Sequence, residues 1–278
     1  MKRLLCTDLD GTLFPAGGTV TDAPRAKSLI RELAGREDIM LAYVTGRHRA
    51  LIEQAIAEHD LPLPDFAIAD VGSTIYQVDA SGWQVSEKWH NLIGRDWHDW
   101  AAGDIYRLLS VFPDLRLQES EKQGRYKLSF YLLEGIDTQR LLVEIDARLK
   151  HSDIRANLIW SVDPRDGTGL LDILPAGANK LHAIRFLMKQ MNLSQNNMVF
   201  AGDSGNDLDV LISGLQTVLV ANADSKMKEV ADSGLFDASL YVAKGGFLGF
   251  DGTCSSGVLE GVAHFWPEIG DWLKDRPQ

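Results

Sequence analysis

Three short apolar runs each break off at a polar cluster. Leu4–Cys6 stops at Thr7-Asp8-Leu9-Asp10-Gly11-Thr12, and Ile39–Val44 stops at Thr45-Gly46-Arg47. Met198–Ala201 stops at Gly202-Asp203-Ser204-Gly205-Asn206-Asp207. Runs this short, with no polar alternation, predict strands buried on both faces. Helical spacing fills the intervals, in Ala26–Leu33 behind Pro24 and in His48–His59, where Leu51, Ile52, Ala55 and Ile56 share a face. Phe66–Ala69 predicts a further strand. Strand-helix alternation leads to a parallel α/β sheet, whose ligands gather beyond the carboxyl ends of the strands.

The rhythm breaks after about Gly82. A stretch rich in Trp and His follows, in which Arg95–Phe112 predicts one helix. Lys127–Leu133, Arg155–Val162 and Leu170–Leu174 predict strands around a helix at Thr138–Leu149. That pattern suits a small α+β module with an antiparallel sheet. The first rhythm returns with an amphipathic helix at Lys180–Met191, a strand at Val218–Ala221 and a last helix at Ser256–Phe265. The second module therefore interrupts the first, and 278 residues are enough for two domains at ~150 residues each. We place the core at 1–81 and 173–278, and the insertion at 82–172.

Composition narrows the function classes. With 28 basic and 39 acidic residues the net charge is −11, which argues against nonspecific binding to nucleic acid or to a membrane surface. Two cysteines, Cys6 and Cys254, cannot build a disulfide framework, so a reducing cytoplasm is the expected setting. No apolar run approaches a membrane span.

Chemistry concentrates at the strand ends. Asp8 and Asp10 at the end of a strand suit attack on phosphorus and proton exchange with a leaving group, although Asp-Gly is also a common turn. Thr45 and the amides of Gly46 and Arg47 suit phosphate oxygens, or simply cap a helix. Lys180 opens a helix, the wrong end of the dipole for a cation, and a phosphate would explain it; a surface lysine is the plain alternative. Asp203, Asn206 and Asp207 offer hard oxygen ligands suited to Mg²⁺; a calcium loop would need a terminal Glu that Leu208–Leu211 displaces.

Together, in this order and spacing, these segments resemble the four motifs of the haloacid dehalogenase (HAD) superfamily of phosphotransferases. The insertion resembles its type IIB cap. A closer resemblance, to the sucrose-phosphate phosphatase family, rests on Leu41–Arg47, Val71-Gly72-Ser73-Thr74-Ile75-Tyr76, Lys127-Leu128-Ser129-Phe130-Tyr131, Leu171-Asp172-Ile173-Leu174-Pro175 and Gly257–Phe265. Two departures stand out. Leu181 follows the lysine where the family commonly has Gly, and the glycine-bearing segment Ala243–Thr253 is longer than usual.

The resemblance implies a Rossmannoid core with an inserted cap, and a phosphatase working through an aspartyl-phosphate. Asp8 would be the nucleophile and Asp10 the general acid and base. Thr45 and Lys180 would hold the transferring phosphoryl group. Mg²⁺ would be held by Asp8, the backbone carbonyl of Asp10 and Asp203, with Asp207 as ligand or support. Gly46, Arg47, Gly72, Ser73, Lys127, Asp172 and Asn206 would contact substrate, Asn206 by positioning Lys180 or the phosphate. The substrate class is a sugar phosphate, sucrose 6-phosphate first. Mannosylfructose, glucosylglycerate and aminosugar phosphates, a mutase reaction, and a noncatalytic sensor are the alternatives. A glycosyltransferase that makes the phosphorylated sugar is the implied partner, and a monomer the expected state. Five of the seven tryptophans lie between Trp83 and Trp160, where an indole could stack on a sugar or fill the cap's own core. Phe247 and Phe250 would shield the sugar if the glycine-bearing segment reaches the cleft.

Overall fold

The computed structural model describes residues 2–17, 23–98, 100–162, 166–232 and 239–276. The strands in chain order are β1 (Arg3–Thr7), β2 (Ile39–Val44), β3 (Phe66–Ala69), β4 (Thr74–Asp79), β5 (Gly82–Val85) and β6 (Leu115–Leu117). They continue with β7 (Leu128–Leu132), β8 (Ala156–Val162), β9 (Gly169–Pro175), β10 (Met198–Gly202), β11 (Thr217–Leu219) and β12 (Leu240–Val242). They form an eight-stranded sheet of order β12-β11-β10-β1-β2-β3-β4-β5 and a four-stranded sheet of order β6-β7-β9-β8.

In the large sheet β12 through β3 run parallel, and β4 and β5 return antiparallel along one edge. Central strand β1 lies between β10 and β2, with Leu5 in register with both Val199 and Leu41. Parallel strands need helical crossovers, and these cover both faces. Helices Pro24–Ala34, Arg49–His59 and Cys254–Phe265 pack on the side of Leu5, Leu41 and Val199. Helix Lys180–Gln190 packs on the side of Leu4, Cys6 and Phe200. All six residues of β2 are buried, as its unbroken apolar run requires.

The small sheet is wholly antiparallel and carries helices Ala102–Leu109 and Thr138–His151 on one face, over Phe130, Leu171 and Trp97. Cross-strand partners share a face, so the partnered Ser129, Asp172 and Ile159 lie opposite to Phe130, Leu171 and Trp160. Trp160 is therefore on the helix-bearing face. Trp89 and Trp97 are fully buried, so core filling accounts for them.

The expected single helix Arg95–Phe112 is broken. A 3₁₀ turn at Gly94–Trp97 gives way at His98, with φ of 51°, before helix Ala102–Leu109. The break serves two anchors: Trp97 is inserted into the small core, and the Asp96 carbonyl accepts from Arg155 N at 2.8 Å. Other boundaries move by a few residues, and Lys127 falls just before β7 in a bridge with Gly124. Among the described residues, no helix is long and apolar enough to cross a membrane.

Candidate active site

Every strand that ends at the cluster is pinned by its neighbours. Asp8 follows β1 directly, and its N–H donates to Ala201 O of β10 at 2.9 Å. Its carboxylate is buried, and Oδ1 accepts from Lys180 Nζ at 3.0 Å. The same ammonium reaches Asp207 Oδ1 at 2.7 Å and Asn206 Oδ1 at 2.9 Å. Lys180 stands at the first turn of its helix because Asn179 supplies the cap, accepting from His182 N at 2.8 Å. The dipole penalty on Lys180 is thus offset by two carboxylates.

Asp203 lies across from Asp8, and its Oδ1 accepts from Thr12 Oγ1 at 2.8 Å. Asp207 Oδ2 accepts from the N–H groups of Asp203 and Ser204, so this fully buried carboxylate braces the loop that carries Asp203. One oxygen from each of Asp8, Asp203 and Asp207 lies within 4.8 Å of the others. Burial pushes Asp8 up to about 7, with Asp207 and Asp203 adding repulsion against the attraction of Lys180. Burial likewise pushes Asp203 up to about 6. Burial alone would lower Lys180, but Asp207 and Asp8 outweigh it and hold the ammonium protonated. Three carboxylates face one ammonium, all hard oxygen donors with charge left to neutralise. This donor set fits a divalent cation of the Mg²⁺ type.

Two loops complete the wall. Thr45 is buried at the end of β2, and its Oγ1 accepts from Arg47 N at 3.2 Å. Arg47 turns to Asp10 and binds its carboxylate through two N–H groups. The β3–β4 connection is strained: Asp70, Val71 and Gly72 have φ of 53°, 57° and 98°. A β-branched residue in that region costs about 1–3 kcal/mol. The N–H groups of Asp70 and Val71 donate to Arg47 O and Thr45 O, which holds the loop against the second motif. Only glycine serves at 72, since a Cβ there would lie 2.4 Å from the Asn179 carbonyl carbon. Gly72 is thus packed directly against the start of the Lys180 helix. Gly46 borders Val71, and Ser73 is buried with no partner for its hydroxyl among the described residues.

The small sheet contributes a second polar group. Lys127 Nζ lies 3.4 Å from Asp70 Oδ1 and 3.9 Å from Asp172 Oδ2, and Ser129 Oγ donates to Asp172 at 2.5 Å. Of the residues expected from sequence, Asp8, Lys180, Asn206, Asp207 and Asp203 thus form one cluster. Asp10 with Arg47, and Lys127 with Asp172, form two others. Sequence reasoning missed Asp70 and Ser129, the partners of the last group, and Thr12. It also missed Asn222, which donates to Gly11 O at 2.6 Å and accepts from Cys254 N at 2.7 Å. A polar residue just past a strand end was the available signal for Asn222.

The glycine-bearing segment ends beside the first motif, through Cys254 and Asn222. Its phenylalanines have neighbours of their own. Phe247 lines a cavity of about 320 Å³ beside Tyr241 and His264, and Phe250 lies under the Arg25 guanidinium at 5.6 Å. Both pack on the large-sheet core.

The fold and this constellation define a HAD-type phosphoric monoester hydrolase. The chain belongs to the sucrose-6F-phosphate phosphohydrolase family, whose model matches residues 1–266. It is 50% identical over 276 residues to a HAD-like hydrolase of Nitrosococcus oceani, covering 98% of this chain and 74% of that protein. It is 27% identical over 279 residues to sucrose-phosphatase 1 of Nicotiana tabacum, covering 95% of this chain and 59% of that protein. The chain thus spans about three fifths of that plant relative. The crystal structure of the sucrose-phosphatase of Synechocystis sp., in complex with sucrose and phosphate, superposes with a TM-score of 0.73 at 25% identity. That match covers 95% of this chain and 98% of the other.

Proposed function

We propose that this chain hydrolyses a sugar phosphate, a disaccharide phosphate such as sucrose 6-phosphate first among them, with Mg²⁺. The observation that carries this reading is the buried Asp8 carboxylate held by Lys180 beside Asp203 and Asp207. Lys180 fixes one oxygen of Asp8 and leaves the other to attack phosphorus in line with the leaving alkoxide. The P–O bond to the sugar breaks as the aspartyl-phosphate forms, and Asp10 gives its proton to the departing oxygen. Asp10 then takes a proton from water as that water cleaves the aspartyl-phosphate. Thr45 and Lys180 hold the equatorial oxygens, and Asn206 orients Lys180. Asp8, Asp203 and the Asp10 carbonyl would hold the cation, with Asp207 bracing them; when bound, it offsets phosphoryl charge.

We assign the small-sheet module as the cap that selects the sugar. Sheet membership favours junctions after β5 and β9 rather than at 82 and 173. Ser73, Lys127 and Asp172 are the sugar contacts of this reading. A glycosyltransferase partner, a monomer and a cytoplasmic setting remain part of it. The test is phosphate release across a panel with sucrose 6-phosphate, mannosylfructose phosphate and hexose phosphates. Selective turnover of a disaccharide phosphate supports the reading. Isomerised sugar phosphate without free phosphate rejects it.

A further inference from the structure

A cavity of about 740 Å³ lies outside the catalytic cluster, between helix Lys180–Gln190 and the segment that leads into the small sheet. Its floor is apolar, made by Trp89, Ile93 and Phe186, with the Trp89 and Phe186 rings 5.1 Å apart. Its rim is basic. Lys88, Arg95, Arg155, Arg185 and Lys189 surround it, in a chain whose net charge is −11. The one acidic residue among the described lining residues, Asp96, is already engaged by Gly177 N at 2.6 Å and Arg155 Nη1 at 3.2 Å. Lys88, Arg95 and Lys189 form no ion pair among the described residues. A volume in the small-ligand range, an apolar floor and uncompensated cations describe one chemistry: an apolar or aromatic body bearing an anionic group.

We propose that this cavity is a second, non-catalytic binding site for a small organic anion of that kind, and that its occupant biases the active site. The contacts supply a route. Trp89 Nε1 donates to Gly72 O at 3.0 Å, and Gly72 is packed against the backbone of Asn179 and Lys180. The same cavity is bordered by Asp96, Arg155 and Gly177, which join the chain entering the small sheet to the chain leaving it. A ligand seated on Phe186, over the buried Trp89, therefore borders both the support of Lys180 and the joint between the two sheets. Contact alone is not coupling, so the test reads both binding and turnover.

The probe is 8-anilinonaphthalene-1-sulfonate, an aromatic sulfonate that fluoresces when bound and cannot be hydrolysed. Titration of the full chain should show saturable one-to-one binding that persists in Asp8→Asn with millimolar inorganic phosphate present. The double variant Arg95→Glu, Lys189→Glu should weaken it at least tenfold, with circular dichroism unchanged. Phenylphosphonate should displace the probe in Asp8→Asn, and inorganic phosphate alone should not, because the floor requires an apolar body. The probe should change p-nitrophenyl phosphate turnover at least twofold in wild type and leave the double variant unaffected. Non-saturable binding, equal affinity in the charge-reversal variant, or a dimer that the double variant dissociates would each overturn the proposal. Binding without any effect on turnover would overturn its regulatory half. Failure of the sugar-phosphate reading would leave all these measurements in place, since none uses a sugar.

Discussion

Arg47 grips Asp10 with two parallel charge-assisted hydrogen bonds, Nε to Oδ2 at 2.6 Å and Nη2 to Oδ1 at 2.7 Å. The guanidinium is itself fixed, donating from Nη1 to Leu51 O at 3.0 Å and lying 5.6 Å above the Phe14 ring. A bidentate pair of this kind sets the orientation of the carboxylate as well as its charge. Arg47 thus serves as a positioning residue for Asp10 in the proposed reaction, which needs one of these two bonds released before Asp10 can carry a proton. Arg47→Gln should lower kcat on a sugar phosphate about tenfold to a hundredfold, the scale of impaired general acid catalysis. Turnover of p-nitrophenyl phosphate, whose leaving group needs no proton, should change little. Equal losses on the two substrates would place Arg47 on the phosphate instead.

Asp8→Asn should abolish phosphate release from every substrate while leaving far-ultraviolet circular dichroism unchanged. The amide keeps the shape of the carboxylate and loses its nucleophilicity. Wild-type turnover by a variant verified as free of deamidation would remove Asp8 from the mechanism.

Lys180→Met should cost the metal-free protein roughly 3–5 kcal/mol, the scale for a broken buried ion pair. The ammonium compensates Asp8 and Asp207 at 3.0 and 2.7 Å, and both are buried. Urea unfolding in chelator checks this. Restoring Mg²⁺ should recover part of the loss in stability and none of the activity.

Chelation of the wild-type enzyme should stop turnover, and Mg²⁺ should restore it. Three carboxylates otherwise repel an incoming phosphate monoester. Ca²⁺ should occupy the site without supporting turnover, because it takes more ligands in looser geometry. Full activity in protein shown by elemental analysis to be metal-free would reject the assignment.

His90 predicts a pH-dependent stability. It is buried, neither ring nitrogen has a hydrogen-bond partner among the described residues, and burial holds its pKa below the ordinary imidazole value of 6.5. The unfolded chain therefore takes up a proton near pH 6.5 that the folded chain refuses. The stability gained from a neutral His90 is full above that pH and declines as pH falls below it toward the folded value. Asp8 and Asp203, raised to about 7 and about 6, add stability as pH falls in wild type and variant alike, so His90 is read as a difference: the urea midpoint of wild type should lose ground to that of His90→Phe from pH 7.5 to 5. Parallel curves would assign the slope to other groups.

Much of the molecule was legible in the chain because its strands are buried on both faces. Leu4–Cys6, Ile39–Val44 and Met198–Ala201 can be buried strands only if helices cover both sides, and each carries its polar residues at one end. Edge elements were less legible. β5, at a sheet edge, exposes half of its residues, and β6 has three residues, so neither leaves a strong periodicity. The expected helix Arg95–Phe112 failed for a different reason. Its local spacing was helical, but Trp97 and Asp96 each have a long-range partner that requires the turn.

What the sequence by itself determined was the order of the buried strands and the helices between them, and the identity of the groups at their ends. Residue type and local periodicity are enough for that. Only the tertiary structure decided which of those groups meet. Lys180 lies 172 positions from Asp8, and Lys127 lies 57 from Asp70, so no local rule connects them. Their pairing follows from strand order and from a strained loop. The parallel placement of β1 between β10 and β2 brings distant strand ends side by side. The positive-φ run Asp70–Gly72 then folds the β3–β4 connection against the lysine helix closely enough that a single methyl group would not fit.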